Sequence, residues 1–141
     1  MKTGIKVEKT SYQVNEKNKT VVCKIWFTLH HDVFEQVKRL SLVNSNIWGL
    51  INEYSAHTSY KDKEILFSVS GSTTVKHDDE FDVKTGKKIS NMKAERKMFK
   101  FTQALYSNIP KMLEDEAEKF KKMAEKVKHE KENSTEKIKK F

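Results

Sequence analysis

A chain of 141 residues with 28 lysines and arginines against 20 aspartates and glutamates, and so a formal net charge of +8, has the size of one domain with a modest core. One cysteine, Cys23, excludes an intrachain disulfide framework and fits a reducing cytosol. No apolar run approaches the roughly 18 residues of a membrane span and no secretory signal pattern opens the chain, so the expectation is a cytoplasmic protein with no membrane partner.

The first predicted element is a hairpin. Val21, Cys23, Ile25, Phe27 and Leu29 alternate with Val22, Lys24, Trp26 and Thr28, the period of a half-buried strand. In the preceding strand Ile5 and Val7 fall on the phase opposite to Tyr12 and Val14, which calls for a bulge or bend between them. Polar residues 15–19 make the turn. Trp26 points away from Cys23 and Phe27, and a ring of that size is expected to pack under another element. Cys23, on the apolar phase, reads as a buried inert thiol.

Asp32 then caps a helix over residues 33–41 in which Val33, Val37 and Leu40 share a face with Phe34 beside them. Asn44, Ser45 and Asn46 break that pattern. Ile47, Trp48, Leu50, Ile51 and Tyr54 form a second helical apolar group that Gly49 weakens. Residues 55–63 read as a polar connection. The strand over 64–76 sets Ile65, Phe67, Val69, Thr73 and Val75 on one phase and Ser68, Ser70, Ser72 and Thr74 on the other, so one face of the sheet stays open as a candidate surface. Gly71 in its middle marks a bulge or a close backbone approach.

The most distinctive stretch is a basic helix running to about Tyr106. Asp82 is its candidate N-cap, and Asp78, Asp79 and Glu80 favour the same positive helix end. Asn91, Ala94, Met98, Phe101 and Leu105 line its buried side, while Lys93, Arg96, Lys97 and Lys100 occupy the arc across from it, with Lys87 and Lys88 one turn earlier. Residues 84–100 hold seven cations and one acid, Glu95, whereas residues 111–141 hold ten and eight. Charge gathered this way suggests an acidic or polyanionic partner; the bland alternative is a solvated face partly paired with the acids of residues 78–82.

Ser107-Asn108-Ile109-Pro110 is expected to interrupt that helix, with Pro110 in the first turn of another whose stripe is Leu113, Ala117, Phe120, Ala124 and Val127. That stripe would pack on the basic helix, on the sheet, or in a homodimer. The predicted architecture is thus α+β: a small antiparallel sheet, from the N-terminal hairpin and strand 64–76, covered by helices, in the order β-β-α-(α)-β-α-α. One domain over residues 1–128 is followed by a charged, frayed tail over 129–141.

Chemistry is sparsely signalled. Asp78, Asp79, Glu80 and Asp82 with His77 lack the glycine and the twelfth-position glutamate of an EF-hand loop, and His30, His31, His57, His77 and His129 show no ligand spacing. No phosphate loop or nucleophile elbow is present, and Thr85-Gly86-Lys87 is too short to count as one. The expectation is a protein that is not an enzyme, with no catalytic residues, no metal and no cofactor.

Lys76-His77-Asp78-Asp79-Glu80-Phe81-Asp82, Gly86-Lys87-Lys88-Ile89 and Ala94-Glu95-Arg96 together resemble a pattern of small phage and prophage proteins, in which a strand leads through an acidic turn into a basic, alanine-rich helix. The likeness covers residues 75–97. His77 stands where that pattern has cysteine or its neighbour, and Ser90-Asn91 where alanine is usual. The resemblance implies a mobile-element origin and a cytoplasmic setting in a bacterial host, with no settled activity. Two readings follow. One is an accessory protein whose Lys87, Lys88, Lys93, Arg96, Lys97 and Lys100 engage a host or defence protein or nucleoprotein, as an anti-defence or anti-CRISPR-like inhibitor does. The other is a plain nucleic-acid-binding protein of phage replication or recombination, with a small-ligand-sequestering protein as a distant third.

Overall fold

The computed structural model describes residues 3–59, 64–76 and 80–141. Four strands, β1 (Ile5–Asn15), β2 (Thr20–Leu29), β3 (Ser55–Ser59) and β4 (Glu64–Thr74), form one sheet in the order β1-β2-β4-β3. Every neighbouring pair is antiparallel. Helices α1 (His31–Ser41), α2 (Ser45–Tyr54) and α3 (Val83–Lys139) complete an α+β fold in the order β-β-α-α-β-β-α. Two compact units divide it, residues 1–106 and 107–141.

The phase conflict in β1 is resolved by a bulge. The register shifts between Val7 and Lys9, so Val7 opposes Phe27 while Tyr12 opposes Cys23 and Val14 opposes Val21. Both apolar pairs of β1 thereby sit across from the inward phase of β2, although Val7 and Tyr12 stay exposed on this edge strand. Lys19, at φ 49°, closes the turn, helped by the Asn15 side chain, whose Oδ1 accepts from the Asn18 amide at 3.1 Å.

The core lies on the inward face of β2 and β4. Phe27 stacks on Phe67 with centroids 5.5 Å apart, Phe101 meets both at 5.8 and 5.0 Å, and Tyr54 closes the group at 4.5 Å from Phe101. Val37, Ile47 and Ile51 are buried with them. Asn44 caps α2 by accepting from the Ile47 amide at 3.0 Å, which is what the Asn-Ser-Asn triplet does in the structure. On the outward face Ser68, Ser70 and Ser72 stand beside Trp26, Lys24 and Val22.

Four expectations need correction. Residues 55–59 are not a plain connection but the edge strand β3, formed because their backbone pairs with residues 64–67 of β4. Helix α1 is capped by His30, whose Nδ1 accepts from the Asp32 amide at 3.3 Å, so Asp32 sits in the first turn instead of at the cap. Trp26, for its part, is half-buried on the outward face, with the ammonium groups of Lys9 and Lys24 5.1 and 4.9 Å from its ring. Finally, residues 107–110 do not divide two helices. Pro110 sits inside α3, where it forfeits one backbone donor while the ladder continues on either side. The stretch read as a charged tail is helical to Lys139, and every side chain from Leu113 onward is exposed.

Candidate functional site

Two glycines set how closely α3 approaches the sheet. A Cβ on Gly71 would collide with the backbone of Ser90 and Ala94, and one on Gly86 would meet Val21 Cγ2 at 2.7 Å. Helix backbone therefore lies directly against strand backbone, and Ala94, Met98, Phe101 and Leu105 fill the space beneath. Gly71 pairs regularly with Cys23, so close approach and not a bulge explains it. Asn91, on the same side, donates to the Tyr12 hydroxyl at 3.2 Å and to Cys23 Sγ at 3.7 Å. Burial nonetheless pushes the Cys23 thiol above its ordinary value, the state of an unreactive cysteine.

The N-terminus of this helix is fixed as its sequence predicts. Asp82 accepts from the Lys84 amide at 3.2 Å and from the Thr85 hydroxyl, and its carbonyl accepts from the Gly86 amide at 2.9 Å. The Thr85 hydrogen bond, foremost, and the backbone amides hold the Asp82 carboxyl below the usual aspartate range. Glu80 is exposed; His77, Asp78 and Asp79 lie outside the described residues. Among the described residues no group of three His, Cys, Asp or Glu side chains is placed to hold a metal.

Because β3 pairs only with residues 64–67, the rest of β4 has no strand on that side among the described residues. There α3 and β4 bound an open groove of about 770 Å³, lined by Gly71 and Ser72 of the strand and by Lys93, Arg96, Lys97, Phe99, Lys100 and Gln103 of the helix. Lys93 Nζ donates to the Ser72 carbonyl at 3.0 Å, which covers part of the open edge. Lys93, Arg96, Lys97 and Lys100 are all exposed, and none forms an ion pair among the described residues, where the ion pairs are Lys6–Glu8, His30–Asp32 and Glu136–Lys139. Four like charges held along one wall raise the local positive potential more than the same charges scattered.

The six cations singled out by the sequence do not form one patch. The groove gathers Lys93, Arg96, Lys97 and Lys100. Lys87 leans the other way, its Nζ 5.5 Å from the Tyr12 ring on β1, because it lies seven residues, about two turns, before the buried Ala94. Lys88 is exposed beside it in sequence but does not line the groove.

Two features escaped the sequence reading. Phe99, 50% exposed, stands in the groove among the cations; its wheel position outside the apolar arc was the available signal. Leu42, Val43 and Trp48 form an exposed apolar patch around a shallow pocket of about 480 Å³ with Ser41, Asn44 and Ser45. The sequence groups Trp48 with Ile47 and Ile51, but on α2 those two turn inward and Trp48, 52% exposed, does not. Comparison with protein-family models, curated proteins and solved structures finds no match to the chain.

Proposed function

We propose that this protein is a non-enzymatic binding module that engages a polyanion, the backbone of a nucleic acid or of a nucleoprotein, through the groove between α3 and β4. The observation that carries the reading is that Lys93, Arg96, Lys97 and Lys100 share one groove wall, all exposed and with no carboxylate partner among the described residues. Phosphates are the complementary chemistry, since each contact releases a condensed counterion. The phage-like pattern over residues 75–97 favours an accessory role in a bacterial cytoplasm, at a host or defence nucleoprotein. Lys87 and Lys88 would then act as flanking charges, apart from the main contact.

Binding to heparin and to duplex DNA or RNA, titrated with salt, tests this. Four phosphate contacts give a slope of log affinity on log salt of up to about −3.6, or about 150-fold between 50 and 200 mM. Changing Lys93, Arg96, Lys97 and Lys100 together to alanine should abolish retention while the fold survives. Unchanged retention would eliminate the proposal.

A second reading, a stoichiometric protein partner, draws on the exposed Leu42, Val43 and Trp48, since half-exposed tryptophans beside apolar neighbours are typical interface anchors. Purification from host lysate with and without nuclease separates the two: a partner that survives nuclease and is lost in Trp48→Ala favours the second, whereas nuclease-sensitive recovery alone favours the first.

A further inference from the structure

Resting on the polyanion reading above, we infer that the groove takes a single-stranded nucleic acid, with its phosphates on Lys93, Arg96, Lys97 and Lys100 and one unpaired base stacked on the ring of Phe99. The inner face of this part of α3, Met98, Phe101 and Leu105, is covered; outside that face Ile89, Met92 and Phe99 are exposed, and of these Phe99 alone lines the groove, half its surface in water amid four cations. A phenyl ring so placed carries a hydrophobic cost that burial against a flat π surface would relieve. Duplex bases are already stacked on one another and present no free face to such a ring. Bases of a single strand do, and a cationic track with an interleaved aromatic is the arrangement that holds single strands without sequence preference. An acidic protein surface would use the cations but has no matching need for the ring.

The dimensions agree. Lys93 to Lys100 covers about 10 Å along the helix at about 1.5 Å per residue, with Phe99 inside that interval, so phosphate and base contacts fall within one short stretch of strand. On the strand side the groove is bounded by Gly71, where the helix backbone lies against the strand, and by Ser72.

The test uses the full chain with labelled oligothymidylate as the single strand, and a blunt-ended duplex and heparin as controls. Phe99→Ala should weaken oligothymidylate binding by about 5- to 150-fold, the range of one base–aromatic stack. Its affinity for the duplex and for heparin should change by less than about twofold, the response of a residue that makes no phosphate contact. Phe99→Leu keeps an apolar, helix-favouring side chain without a π face and should show the same selective loss, while Phe99→Tyr should restore binding; circular dichroism confirms that each variant is folded. If Phe99→Ala and Phe99→Leu bind oligothymidylate as the parent does while the fourfold cation variant loses all three ligands, the single-strand inference falls and the polyanion reading stands. If the parent binds none of the three, both fall.

Discussion

The stretches of α3 before and after Tyr106 are amphipathic with the same period, yet they present opposite surfaces. Before it, the apolar stripe is consumed: Ala94, Met98, Phe101 and Leu105 are all buried, and seven cations against one acid remain on the surface over residues 84–100. After it, Leu113, Phe120, Met123 and Val127 are exposed, and residues 111–141 hold ten cations against eight acids, close to balance. A helical stripe thus announces that something apolar is to be covered without saying what covers it. Glycine at 71 and 86 is what makes the difference for the first stretch, because it allows the helix backbone onto the sheet.

The largest expected effect separates those stripes directly. Phe101→Ala should cost about 3–5 kcal/mol in urea unfolding, as for a fully enclosed ring. Phe120→Ala, 61% exposed, should change stability by less than about 0.5 kcal/mol. A comparable loss at Phe120, or a Tm that rises with protein concentration, would mean that the second stripe is covered by a twin chain in solution.

The glycines provide the next contrast. Gly71→Ala drives a methyl into the backbone of Ser90 and Ala94 and should destabilise by about 1–3 kcal/mol. Gly49→Ala, with nothing within 4 Å of its added carbon and a helical position, should stabilise by about 0.5–1 kcal/mol. A Gly71→Ala variant as stable as the parent would displace close approach as the reason for Gly71. A smaller effect is kinetic: the Cys23 thiol, enclosed and shifted upward by burial, should react with a thiol reagent only as fast as the protein opens, and full reaction in the mixing time would contradict its burial.

The smallest concerns the start of the helix. Folding lowers the Asp82 pKa from its ordinary 3.8, so its cap contributes fully above that value and is lost as pH falls through the folded one. Asp82→Ala should therefore lower Tm slightly at neutral pH, and the difference should vanish in strong acid. A difference that persists there would assign the effect to something other than the carboxylate.

Much of the fold was legible because it obeys period two or period 3.6 locally. The alternation of Val21 to Leu29 located β2, and the opposed phases of Ile5 and Tyr12 located the bulge. What was not legible depends on partners distant in sequence. Ser55–Ser59 has no apolar pattern of its own and becomes a strand only because β4 offers its edge. Pro110 looks like a break, yet it removes only one donor from a ladder that is intact on both sides. In the groove, the wheel placed Lys93, Arg96, Lys97 and Lys100 together but attached Lys87 and Lys88 to them by proximity in sequence, and the structure turns Lys87 toward Tyr12. Phe99 falls outside the apolar arc on the same wheel, and what the sequence does not show is that this position opens onto the groove beside the four cations.

The most direct test of the central claim sets two charge-matched variants side by side. One replaces Lys93, Arg96, Lys97 and Lys100 by alanine, and the other replaces Lys119, Lys121, Lys122 and Lys126, so that each removes the same charge from one stretch of α3. In a salt titration of nucleic-acid binding, the groove variant should lose affinity and its salt slope together, while the second keeps nearly the parent slope. Equal losses in both variants would show that net charge alone binds the ligand, and the groove would have no part in it.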